Sequence, residues 1–154
     1  MFSGRKDLFR GLAAEEWVTQ KSEKPSPVLR LDMSSLGSYS NREGVNQNLV
    51  QRLEEIAEDN DLELKTAADC EGMLRQLIRS IFKSRGPVVV LIDEYDKPVL
   101  DNLSNIKRAN EMREILRSFY TVIKSCDEYL RFVMLTGISK FSKMGVFSAM
   151  NNQS

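Results

Sequence analysis

The stretch GPVVVLIDEYDKPVLDN, residues 86–102, limits what this chain can fold into more than any other. Five apolar residues, Val88 to Ile92, follow one another without a polar break, and four of them are β-branched. A half-exposed strand alternates its apolar positions and an amphipathic helix stripes them. An unbroken run belongs to a strand covered on both faces, as in a parallel sheet. The run ends in Asp93, Glu94 and Asp96, three carboxylates within four positions. Ligands of open parallel sheets sit beyond the carboxyl ends of the strands. The cluster therefore marks either a site or a solvated acidic turn.

The neighbouring segments supply the rest of such a sheet. PVLRLDMSS predicts a strand at about 27–34, ending in Asp32, Ser34 and Ser35. There the polar residues read most simply as a turn or a helix N-cap. REGVNQNLVQRLEEIAEDN predicts a helix with Val45, Leu49, Leu53 and Ile56 on one face, and EDNDLELK an acidic turn. A second helix is expected to open at Thr66, with Asp69 three residues on as a capping box. Its stripe is Met73, Leu74, Leu77, Ile78, Ile81 and Phe82, and Gly86-Pro87 stops it. The central strand is expected at about 87–93, with Lys97-Pro98 stopping it and orienting the turn after it. A long helix at about 105–127 carries Met112, Ile115, Leu116, Phe119, Tyr120 and Ile123, and LRFVMLTGIS gives a strand at about 130–136. Strand, two helices, strand, helix, strand describes an α/β fold with a parallel sheet. Its strands would all end in polar groups: Asp32 and Ser34, the acidic cluster, then Thr136 and Ser139.

Composition removes several chemistries. The chain has no histidine, which excludes Ser-His and Cys-His triads and histidine-bound zinc. Its two cysteines, Cys70 and Cys126, lack C-x-x-C spacing and read as free thiols of a reducing compartment. No signal-peptide core or membrane-length apolar run occurs, so a cytoplasmic protein is expected. With 22 basic and 22 acidic residues, bulk charge gives no hint of nucleic-acid affinity. Any metal must be a hard cation held by oxygen. DEYDKPVLDNLS lacks the glycine and terminal glutamate of a calcium loop. A PD-(D/E)xK nuclease centre needs an acid two positions before a lysine, and Tyr95 stands there relative to Lys97.

An apolar strand followed by Asp-Glu is the Walker B pattern. Asp93 at the strand tip would help to hold Mg²⁺, and Glu94 would orient and deprotonate a water, a role worth about 10²–10⁴ in rate. Three crowded carboxylates would be relieved by that cation. Thr136, followed by Ser139 and Lys140, stands where a neighbouring strand could meet a γ-phosphate or the water. The plainer alternative is a strand entering a glycine turn, with Lys140 a solvated charge.

VVVLIDEYDKPVLDN, RSFYTVIKSCDEYLRFVMLTGISKFSK and VFSAMNN together resemble the AAA-ATPase-like family of predicted P-loop NTPases, often followed by a PD-(D/E)xK nuclease-like domain. The resemblance covers nearly the whole chain and is specific from about Pro87 to Asn152; DLFRGL is similar to the segment that follows the first helix in those proteins. It implies a partial P-loop NTPase fold, a three-layer αβα arrangement with the Walker B strand central. It implies ATP and Mg²⁺ as cofactors, with Asp93 and Asp96 at the metal, Asp93 and Thr136 at the nucleotide, and Glu94 catalytic. Thr136, Ser139 and Lys140 would be sensor-like.

The sequence departs from that family at the phosphate-binding loop. No G-x-x-x-x-G-K-[ST] occurs, and Gly4-Arg5-Lys6-Asp7 lacks the first glycine and the hydroxyl. The expectation is thus a single incomplete domain over 1–154, with the Walker B to sensor region present and Walker A and the C-terminal lid absent. It would be an ATP-binding and ATP-hydrolysing domain inactive by itself. The alternative is a non-catalytic protein-interaction module or a remnant of the fold. The strand bearing the loop would flank FVMLTG, so that edge is expected to be open to self-association or protein contact. Nucleic acid would be met only through a nuclease-like domain outside this chain.

Overall fold

The computed structural model describes residues 10–11, 25–39, 41–65, 67 and 69–137. Its elements are β1 (Val28–Asp32), α1 (Arg42–Glu58), α2 (Cys70–Arg85), β2 (Val88–Asp93), α3 (Lys97–Leu100), α4 (Ile106–Ser125) and β3 (Leu130–Leu135). Short 3-10 turns at Leu36–Ser38 and Asp127–Tyr129 link them. The fold is α/β. Its three strands are all parallel in the order β1-β2-β3, with β2 in the middle.

Side chains start the three main helices. Asn41, Asp69 and Asn105 each stand at an N-cap and accept from the amide of Gly44, Gly72 and Arg108 respectively. Each satisfies an amide that the first turn leaves without a partner. The second helix therefore opens at Cys70, not at Thr66: Asp69 is its cap rather than the end of a capping box. Thr66 itself lies outside the described residues. α2 ends at Gly86, whose φ of +90° suits a residue without Cβ. Lys97-Pro98 does more than stop a strand. Proline's fixed φ and missing N–H suit the first turn of a helix, and here it opens α3.

Strand order follows sequence order, so both crossovers step the same way across the sheet. Right-handed connections then place α1, α2 and α4 on one face. The core lies between that face and the helices. Leu29 and Leu31 of β1, Val88, Val90 and Ile92 of β2, and the stripes of α1, α2 and α4 form one buried cluster. Each fully buried Leu, Ile or Phe there contributes about 1.5–3 kcal/mol.

The register puts Val28, Arg30, Asp32, Val89, Leu91, Asp93, Phe132 and Met134 on the opposite face. Val89 is completely buried there, in keeping with a strand covered on both sides. The described helices form one layer, and a second is not among the described residues. Among those residues no helix is long and apolar enough to cross a membrane.

Candidate functional site

The carboxyl ends of the three strands are tied into one edge. Asp32 lies opposite Asp93 in the β1–β2 register, and Met33 N donates to Asp93 O at 3.0 Å. Across the other side, Thr136 N donates to Ile92 O at 2.8 Å and Tyr95 N to Thr136 O at 3.0 Å. Pairing thus continues one step past the formal end of β3. Asp32, Asp93 and Thr136 stand side by side along that edge.

Asp93 is the centre of this row. Its Oδ1 accepts from Thr136 Oγ1 and, at 3.1 Å, from the amide of Glu94. Its Oδ2 lies 3.5 Å from Arg30 Nη2, with the two side chains 45% and 70% exposed. A pair so open is worth at most about 1 kcal/mol, so Arg30 neutralises Asp93 only weakly. Glu94 follows in the left-handed region, at φ +49°, where a residue with Cβ is held at a cost of about 1–2 kcal/mol. Its Oε2 is buried and, among the described residues, has no hydrogen-bond partner.

The turn is locked from beneath. Tyr95 and Asp96 are buried, and the Tyr95 ring packs edge-on against Tyr120 of α4, with centroids 6.3 Å apart. Burial pushes both phenols up, with the Asp96 carboxylate adding to the effect. Gly137 closes the space: a Cβ there would come within 2.5 Å of Asp96 Oδ1 and 2.6 Å of Tyr95 Cε1. Asp96 also caps α3 through its carbonyl, which accepts from Val99 and Leu100. Lys97 is engaged with Asp101, at 2.9 Å.

The structure therefore brings Asp93, Glu94 and Thr136 together at the strand ends and seats Asp96 in the buried turn below. Ser139 and Lys140 lie outside the described residues. Asp32 serves the turn after β1. Its Oδ1 accepts from Ser34 N at 2.8 Å, and that bond, with help from Arg52 and Arg30, holds its carboxyl below the usual range. Sequence reasoning missed Arg30, because only the strand register puts it diagonally across from Asp93. It missed Gly137 as well, although the TG step after the third strand was the available signal.

Two grooves are described near the helices. One of about 410 Å³ runs between Arg30, Asp32 and α1. Another of about 820 Å³ joins the first turns of α1 and α2, beside Glu43, Asp69, Glu71 and Glu111. The larger one offers little chemistry. Its Cys70 is buried, and desolvation, with Glu71 next to it, pushes the thiol up to about 12. Among the described residues no group of three or more carboxylates and thiols is arranged to hold a metal ion.

A family model described as "Predicted AAA-ATPase" matches residues 1–147. An uncharacterized protein in the vnfD 5′ region of Azotobacter chroococcum mcd 1 is 40% identical over 157 aligned positions, covering 99% of this chain. The chain spans 29% of that relative's length. No solved structure matches.

Proposed function

Since the chain belongs to the AAA-ATPase-like family, we propose that it carries the acidic half of an ATP-binding and ATP-hydrolysing site, with Asp93-Glu94 as its Walker B pair. The observation that carries the reading is the row at the strand ends. A half-exposed Asp93 is oriented by Thr136, and beside it stands Glu94 with a buried oxygen awaiting a donor. When bound, Mg²⁺ would supply positive charge to offset the nucleotide phosphates.

The protein residues divide the remaining work. Asp93 would hold that cation, its carboxylate steadied by the Thr136 hydroxyl and the Glu94 amide. Asp96 would be the second carboxylate at the metal by the sequence pattern, and it is seated in the buried turn beneath. Glu94 accepts a proton from water, its backbone fixed by the pairing of Tyr95 with Thr136. Ser139 and Lys140, outside the described residues, are assigned a sensor-like role from the sequence alone. Magnesium usually keeps several waters and takes few protein ligands, so two carboxylates fit it. No residue of the 154 forms a Gly-Lys-Ser/Thr phosphate loop, so the chain alone is expected to bind nucleotide weakly.

Titration calorimetry with Mg²⁺-ATP on the chain and on Asp93→Ala tests the reading. Heat that vanishes in the variant supports it. No binding at millimolar nucleotide, by a chain shown to be folded, would sink it for this polypeptide. That result would favour the second reading, a non-catalytic protein-contact module. It too has an observation behind it: Phe132, Val133 and Met134 of β3 are apolar and each more than one-third exposed.

A further inference from the structure

The opposite edge of the sheet carries a pattern independent of nucleotide. Among the described residues β1 has a strand partner on one side only, β2. Val89 N donates to Pro27 O and Met33 N to Asp93 O. In a parallel ladder the odd-numbered residues of β1 therefore face β2, and Val28, Arg30 and Asp32 turn their amides and carbonyls outward. Arg52 of α1 marks that direction, since its guanidinium donates to Asp32 O and to Ser35 Oγ. The groove of about 410 Å³ lies along this outward edge, under α1.

Exposed edges are usually guarded by charge. Here the charges are arranged so that the guard fits itself. In an antiparallel pairing of two β1 strands about a two-fold axis at Leu31, Arg30 of each copy lies directly opposite Asp32 of the other. Opposite charges directly across such a pair are favourable. Leu31 meets its own copy on the core-facing side. The same register pairs the outward amides and carbonyls, and Asp32 O keeps a second lone pair beside Arg52. The competing register, centred on Arg30, sets two guanidiniums against each other and Val28 against Asp32. Arg30 is free to turn, because its contact with Asp93 is long and open at 3.5 Å.

We infer that this chain forms a two-fold dimer through antiparallel β1–β1 pairing, with reciprocal Arg30–Asp32 contacts making one continuous six-stranded sheet. The interface is self-complementary, as a two-fold contact must be, and the groove under α1 gives the partner strand room.

Sedimentation equilibrium on the 154-residue chain, on R30D, on D32R and on their equimolar mixture tests this, with far-ultraviolet circular dichroism confirming that each is folded. The unmodified chain should dimerise, and each variant alone should dissociate at least about tenfold more readily. The mixture should restore dimer, because the acidic edge of one variant then faces the basic edge of the other. Asp32→Asn keeps an acceptor for Ser34 and removes only the charge, so it should weaken the dimer by about threefold without disturbing the turn. A chain that stays monomeric at about 0.2 mM, a dimer unchanged in all three variants, or a mixture that fails to reassociate would each overturn the inference. The first of these would leave the edge to an extended segment of another protein.

Discussion

Replacing Gly137 by alanine should loosen the acidic corner without touching a carboxylate. The added methyl would sit 2.6 and 2.8 Å from two carbons of the Tyr95 ring and 2.5 Å from Asp96 Oδ1. To reach an ordinary contact of 3.4 Å the ring must retreat by about 0.8 Å. It has little room to do so, being buried and set edge-on against Tyr120, itself a buried residue of α4. Overpacking of this kind costs about 1–3 kcal/mol. Lowered chain entropy in the unfolded state offsets about 0.4–1 kcal/mol of that. The net loss is thus about 1–2 kcal/mol, or about 2–8 °C in Tm for a domain of this size. Urea denaturation followed by circular dichroism measures the first number, and tyrosine fluorescence reports whether the Tyr95–Tyr120 contact has moved. An alanine variant as stable as the parent, or more so, would refute the claim that Gly137 is required by close approach.

Two further outcomes follow from the same corner. Glu94→Gly should raise stability by about 1 kcal/mol, because glycine adopts φ +49° without the Cβ penalty and the buried Oε2 disappears. Urea denaturation reads that gain, and a variant no more stable than the parent would refute the strain assigned to Glu94. Asp32 sets a pH dependence whose sign is fixed by its lowered pKa. Its contribution is present above the unfolded value near 3.8 and is lost as pH falls through the lower, folded value. Asp32→Ala should therefore flatten the acid limb of stability in urea titrations below the unfolded value near 3.8, and leave the curve well above it parallel to that of the parent.

The elements were legible where periodicity is strong. The stripe from Met73 to Phe82 and the apolar run Val88–Ile92 gave a helix and a central strand close to their observed limits, because burial on one face or on two leaves distinct patterns. Boundaries governed by single hydrogen bonds were harder to read. Thr66 with Asp69 looked like a capping box, yet Asp69 caps the helix itself by accepting from Gly72. Lys97-Pro98 looked like a stop because proline lacks an N–H, and the same property suits it to open a helix. At the strand ends, Asp93, Glu94 and Thr136 were visible as residue types in the right positions. Their surroundings were not. The reach of Arg30 depends on register across 63 residues of sequence, and the conformation of Glu94 depends on how Tyr95 is held by the neighbouring strand.

The order of the strands also sets the order in which the sheet can assemble. Val28 pairs with Val89, so about 60 residues must be brought round before the first strand has a neighbour. Non-local pairing of this kind slows folding, since loop closure comes before any contact that rewards it. The contact available earlier is the local one between α1 and α2, helices that follow one another and pack together. They form the bridge that shortens the search. A ribosome that has not yet released Asp93 holds a β1 with nothing to pair with, so synthesis of the central strand is the step that turns two helices and a loose strand into a sheet.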